Sequence, residues 1–362
     1  MDIDKRRKNI ISSDGRILFY SIDDFISEIC NKEVCFICGA DKTKKKFNDE
    51  HIIPKWILKR FGLFNHTISL PNNVEFKYSR YLLKCCSECN SFLGKNIEDI
   101  ISSGLGDNYE KASIFFEENK KLIFIWLCLL ITKTHLKDRS FKYDLRKDIK
   151  IGDMYEWEAL HHIHCVARSL YTGCKLKESV IGTIILLPCH EYIQTESFDY
   201  MDRFYEGIVL VRLGPYFILA VLNDLGIVYK LLKPRLDRIT GSLQPIQIRE
   251  IFARACEANL RILNRPRFLT YKLKNDNSLY CGAVITEDIK LSPPSEDTLG
   301  KYMVDLISDM LVSPDDPIYG TEIKIQIDAM KKGQWTYLFD CKGDFIDGNI
   351  KFKDERDTPS EI

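Results

Sequence analysis

The chain has 362 residues, of which 45% are hydrophobic and 29% charged. This excludes a low-complexity or fibrous protein and leaves room for two or three domains with a sizeable core. Lys and Arg number 52, as do Asp and Glu, so a generally basic nucleic-acid coat is excluded. Thirteen cysteines and a charged start, MDIDKRRKN, without an apolar h-region lead us to expect a cytoplasmic protein with reduced thiols.

In chain order, residues 1–30 read as a lead-in with a strand-like start and a short amphipathic turn. Residues 31–105 form the next unit. Between Asn31 and Asn96 stand twelve Lys or Arg against six Asp or Glu, a local positive excess in a neutral chain, balanced by a tail from Ser292 onward that leans acidic. The unit carries five cysteines, four of them in two close pairs, and ends in LGKNIEDII, which reads as a helix. The boundary to a larger unit, 106–362, is expected at SSGLGDN, near 100–110.

Residues 109–136 read as one long buried helix. Its apolar run Leu122–Ile131 is flanked by Lys120, Lys121 and Lys133 and is too short to span a bilayer. A second helix is expected over 153–171, with Asp153 as N-cap. Strands are expected at 180–188, 206–213, 216–224 and 226–232, then a helix at 244–263. Further strands follow at 267–273, 279–286, 321–328, 335–340 and 345–352, with a helix near 296–311. The fold class is therefore α+β: a small metal-stabilised module followed by a larger α+β domain with a mostly antiparallel sheet.

The chemistry concentrates in the second unit. Cys35-x-x-Cys38 and Cys86-x-x-Cys89 each bring two sulfurs to one ion from a tight turn. Together they make the all-thiolate set preferred by structural Zn2+. Cys85 is an adjacent thiol with poorer spacing. Between the pairs lies Glu50-His51-Ile52-Ile53-Pro54, and Asn90 directly follows the last cysteine. CFICG, EHIIPKW and CSECN in this order resemble the HNH (ββα-metal) endonuclease family, in the variant where two CxxC pairs clamp the motif; the resemblance covers about 65 residues.

The resemblance implies a metal-dependent endonuclease that hydrolyses phosphodiester bonds, on DNA more than on RNA. Such proteins often serve bacterial restriction, anti-phage or mobile-element systems. His51 is then the general base, a role suited to a group titrating near neutrality. Glu50 and Asn90 are the ligands of a catalytic Mg2+ or Mn2+. One position departs from the family: an Asn often found about five residues before the third cysteine is here Tyr81. That departure motivates an alternative, a decayed, zinc-stabilised nucleic-acid or partner-binding module.

Lys44, Lys45, Lys46, Lys55, Lys59 and Arg60 admit two readings, phosphate contacts beside the site or a solvated face. Trp56 reads as a core anchor. His161, His164 and Cys165 share one helix face, which admits a second metal site or a buried helix edged with histidine; Arg168 and Tyr171 extend it toward a ligand pocket. Gln244, Gln247, Arg249, Arg254 and Arg261 read as helix-surface polarity or as contacts to nucleic acid or a nucleotide. No Walker loop, GxGxxG or Ser-His-Asp signature is present. The region 180–290 is the candidate sensor for an activating ligand or partner protein.

Overall fold

The computed structural model describes residues 8–190, 197–273, 278–311 and 323–347. Short strands β1 (Ile10–Ile11) and β2 (Ile17–Phe19) pair, and a helical stretch over 22–30 follows. The head contains β3 (Phe47–His51), α1 (Lys55–Arg60), the hairpin β4 (Thr67–Ser69) and β5 (Glu75–Lys77), β6 (Leu82–Cys86), α2 (Ser87–Leu93) and α3 (Asp99–Gly104). Then come α4 (Tyr109–Asp138), α5 (Glu158–Ala167), β7 (Lys175–Leu176), β8 (Thr183–Pro188), β9 (Phe198–Arg203), β10 (Ile208–Leu213) and β11 (Tyr216–Val221). The chain continues through α7 after the short helix α6 (Ser169–Thr172): α7 is Ile227–Leu236, α8 Pro245–Leu260, β12 Arg267–Lys272, β13 Leu279–Val284, α9 Glu296–Ile307 and α10 Ile323–Lys331.

The largest sheet is antiparallel, ordered β8-β11-β10-β9. Its central strands are buried at every residue. Alternation explains how. Val209, Val211, Ile218 and Ala220 point into a cluster with α4, while Ile208, Leu210, Phe217 and Leu219 join Ile248, Phe252 and Val228 of α7 and α8. A sheet covered on both faces has no polar side, so IVLVRL and YFILAV read as apolar runs. The fold class is α+β; among the described strands β13 pairs parallel with β7 and the other pairings are antiparallel.

Helix α4 is the spine. Asn108 caps its start by accepting the Lys111 amide at 2.9 Å, and the helix is broken at Asn119. Residues 123–131 are buried all round, as expected of a helix apolar on every side. No helix among the described residues is long and apolar enough to cross a membrane. The apolar cluster around α4 is continuous from Tyr20, through Cys35, Ile57 and Leu93 of the head, to Tyr216 and Cys281. Packing thus runs unbroken across the expected boundary near 100–110.

Several expectations are corrected. GIVYKLL at 226–232 is not a strand but the start of α7. The Asp224 carboxylate accepts the amides of Gly226 and Val228, and Gly226 takes φ +75°; this cap nucleates a helix before strand propensity can act. Residues 323–328 are also helical. Ile323, Ile327 and Met330 lie at helical spacing, and Ile327 and Met330 join an apolar cluster with Leu299 and Met303 of α9; residues 321–322 lie outside the described residues. The strands expected at 335–340 and 345–352 shrink to one bridge, Phe339 with Phe345, around a turn at Asp340–Gly343; residues 348–352 lie outside the described residues. Asp153 does not cap α5: its carboxylate accepts the Lys150 amide at 2.9 Å within a separate short turn, Ile151–Met154. Strand β9 was not expected, because its sequence FDYMDR mixes polar residues into an edge strand.

Candidate metal and active site

The site is built on two strands and a helix. β3 and β6 pair antiparallel, with Glu50 opposite Leu83 and His51 opposite Leu82. α2 follows β6 directly. Its N-cap is Cys86, whose Sγ accepts the Cys89 amide at 3.4 Å. One CxxC turn therefore does two jobs, starting the helix and presenting two sulfurs.

The sulfurs of Cys35, Cys38, Cys86 and Cys89 all lie within 4.8 Å of one another. Tetrahedral Zn2+ with bonds of about 2.3 Å sets sulfurs roughly 3.8 Å apart. The Cys38–Cys86 separation is 3.7 Å. The four cysteines thus form a cluster that can hold a metal such as zinc. Donation from the thiols of Cys38, Cys85 and Cys89 holds the Cys35 thiol well below its ordinary value, while Cys38 and Cys89 are pushed up, chiefly by that neighbour. Cys85 lies 3.6 Å from Cys35 but outside the group of four.

The first CxxC turn closes through the Cys35 amide on Ala40 O and the Gly39 amide on Cys35 O. Gly39 has φ +75°, and a Cβ there would stand 2.1 Å from Tyr20 Oη, so only glycine fits. Helix α5 grips the turn from outside. His164 Nε2–H donates to Phe36 O (2.7 Å), Arg168 Nε to Ile37 O (2.6 Å), and Arg168 Nη2 to Ile17 O (2.7 Å). His161 Nε2 meets Tyr20 O at 2.8 Å. This corrects the second-metal and ligand-pocket expectations for this face. The histidines and Arg168 satisfy backbone carbonyls of the lead-in and the first CxxC turn, and burial holds His164 neutral by pushing it well below its ordinary value. Among the described residues they join no metal-binding group. Tyr171 sets its ring edge against Phe92.

Glu50, His51 and Asn90 line one cleft of about 330 Å3, with Lys55, Glu98 and Asp99. Burial pulls His51 below its ordinary value; Lys55 and Lys133 add to this and Glu50 opposes it. A neutral imidazole suits a proton acceptor. Asn90 Nδ2 donates to Asn48 Oδ1 (2.9 Å) and Asp49 O (3.4 Å), so its Oδ1 is left for a ligand.

Beneath the cleft lies a residue sequence reasoning missed. Lys133 of α4 is 0% exposed, and its Nζ donates to Glu50 Oε1 (2.7 Å), His51 O (2.9 Å) and Glu98 Oε1 (3.3 Å). Burial opposes the ammonium, but the two carboxylates outweigh it and hold Lys133 above its ordinary value. Glu98 is pushed up to about 7 by burial, against the pull of Lys133. The signal available was a lysine interrupting the apolar face of a long helix, LLITKTH, which reads as a flank until its partners are known.

Tyr81, the departure from the family pattern, is buried, and its hydroxyl donates to Asp138 Oδ1 at 2.6 Å. It ties the strand to the end of α4. Burial pushes Asp138 up to about 7, against the Tyr81 hydrogen bond and the nearby His135 and Lys137, and with the like charge of Asp202. The sign follows. The folded chain binds this proton more tightly than the unfolded one, so the contribution to stability is complete below about pH 4 and is lost as pH rises through about 7. We therefore expect Asp138→Asn, which keeps the acceptor for Tyr81, to match the wild type at about pH 3.5 and to exceed it by a few kcal/mol at about pH 8, at about 1.4 kcal/mol per pK unit. Denaturant melts at the two pH values check this; an equal gap at both would refute it.

The six basic candidates separate. Lys44 pairs with Asp41 at 3.7 Å and Lys45 with Glu88 at 2.5 Å. Arg60 is structural rather than a surface contact: it donates to Leu105 O (2.6 Å), pairs with Asp107 (3.3 Å) and lies over Trp56 at 4.7 Å. Lys46, Lys55 and Lys59 are exposed and form no ion pair among the described residues. Trp56, half-buried near Trp126, packs as a core anchor.

Searches with protein-family models, curated proteins and solved structures gave no match to this chain.

Proposed function

We propose that this protein is a metal-dependent endonuclease of HNH type that hydrolyses DNA phosphodiester bonds. Residues 31–105 form the catalytic head and 106–362 restrain or target it. One observation carries the reading: Glu50 and His51 at the end of β3, and Asn90 on α2, line a single cleft beside a four-thiolate cluster. In this reading His51 takes the proton of the attacking water. Its neutral form is favoured by burial, and the Lys133 bond to its own carbonyl fixes its backbone.

Glu50 has one carboxylate oxygen on Lys133. Its other oxygen and Asn90 Oδ1 are hard donors that would hold Mg2+ or Mn2+. Such an ion would supply charge to the phosphate and to the leaving oxygen. Lys46, Lys55 and Lys59 are free to meet phosphates. By the resemblance, the setting is bacterial restriction or anti-phage defence in the cytoplasm.

A second reading has its own observation. The buried ammonium already neutralises Glu50, which suits a decayed module that binds nucleic acid or a partner without cutting. A supercoiled-plasmid assay with Mg2+ or Mn2+ separates the two. The nuclease reading expects nicking or linearisation that falls at least about 100-fold in His51→Ala, the usual scale for losing a general base. Binding without cleavage under either metal favours the decayed module.

A further inference from the structure

Away from the head, α7, α8 and the start of α9 enclose a cavity of about 300 Å3 lined by Arg235, Arg254 and Arg261. Three guanidiniums in one recess repel one another unless each is neutralised. Arg254 is: its Nε donates to Glu250 Oε1 at 2.7 Å. That carboxylate also accepts the Tyr337 amide and the Thr336 hydroxyl. Arg261 spends only its Nε, on Ser292 O at 3.0 Å. The Arg235 side chain is half-buried and forms no ion pair or hydrogen bond among the described residues; its guanidinium lies 5.5 Å from the centre of the Phe339 ring. Burial, then the like charges of Arg254 and Arg238, pull Arg235 below its ordinary value, while the Glu250 carboxylate opposes them.

Two carboxylates also line the cavity. Glu257 is engaged by the Ser295 amide at 2.9 Å. Neither it nor Glu296 pairs with any of the three arginines. Other helix-surface candidates are accounted for: Gln247 donates to Tyr337 O and Ile346 O, and Arg249 pairs with Asp199 at 2.7 Å.

We propose that the cavity binds a small phosphorylated ligand through its phosphate or pyrophosphate group. The terminal nitrogens of Arg254 and Arg261 and the whole fork of Arg235 are unspent donors. Planar forks match phosphate oxygens in pairs, and a dianion removes the repulsion among them. The volume is at the lower end for small-molecule sites, and the arginines are recessed among three helices. A duplex backbone, which meets exposed side chains, fits it less well. The site stands independently of the nuclease reading.

Titration calorimetry of the full chain with inorganic pyrophosphate, at constant ionic strength, tests it, with inorganic phosphate and a short DNA duplex as parallel arms. Pyrophosphate is expected to bind more tightly than phosphate. Arg235→Gln is expected to weaken it at least about tenfold, Arg235→Lys less, since charge is kept and the fork is lost. Lys111→Gln, exposed on α4, is expected to leave it unchanged. Circular dichroism confirms that each variant is folded; if Arg235→Gln is not, Arg235→Lys alone decides. No pyrophosphate binding, binding insensitive to Arg235, loss in Lys111→Gln, or duplex binding that depends on Arg235 would each overturn the proposal.

Discussion

Cys89→Ser is expected to strip bound zinc from the protein and to lower its apparent Tm by about 10 °C or more. A structural zinc with four thiolates contributes folding free energy directly, on the order of 10 kcal/mol in small isolated modules. Here the ion would close a loop from Cys38 to Cys86 that carries Glu50, His51 and Lys55 of the cleft. Cys89 sits in the first turns of α2, and Cys86 caps that helix. Asn90 is the next residue, so the same loss would displace a candidate ligand. The damage would also spread outward. Phe36 and Ile37 are the carbonyls that His164 and Arg168 grip, and the thiols belong to the same apolar cluster as α4. Elemental analysis should give one zinc per chain in the wild type and none in the variant. Wild-type protein with no tightly bound metal would remove the basis for the prediction, and Cys85→Ser provides the contrast, since it should keep the ion.

Lys133→Met carries the second large effect. Deleting one member of a buried ion cluster leaves the others uncompensated and costs about 3–5 kcal/mol. Here two carboxylates, Glu50 and Glu98, would lose their shared cation, and His51 O would lose a donor. The double variant Lys133→Met/Glu98→Gln should recover part of the loss, because one buried charge is removed with its partner. Lys55→Met, on the exposed rim of the same cleft, should change stability by no more than about 0.5 kcal/mol. Urea unfolding measures all three. Equal stability of Lys133→Met and wild type would show that the ammonium contributes nothing.

Much of the site was legible because its signals are local. CxxC spacing reports a turn that presents two sulfurs, and Asn90 follows the final cysteine on the helix that the cysteine caps. Those relations need no tertiary information. Apolar runs likewise gave the central strands and α4. Reading failed where a cap overrode propensity, as Asp224 did for α7, and where edge strands carried polar residues, as in β9. The histidine face of α5 stayed open between two readings for a related reason: a His at helical spacing looks the same whether its nitrogen meets a metal or a carbonyl.

By itself the sequence determined the two CxxC turns, the EHIIP strand end and the α+β class, because each depends on spacing of a few residues or on a short period. Tertiary structure alone decided the rest. Lys133 lies 83 residues from Glu50 in sequence, Arg168 lies 131 from Ile37, and Tyr81 lies 57 from Asp138. Arg235, Arg254 and Arg261 converge only when α7 docks on α8. A buried charge is set by what surrounds it in space, and no local pattern records a partner that the chain brings back from so far away.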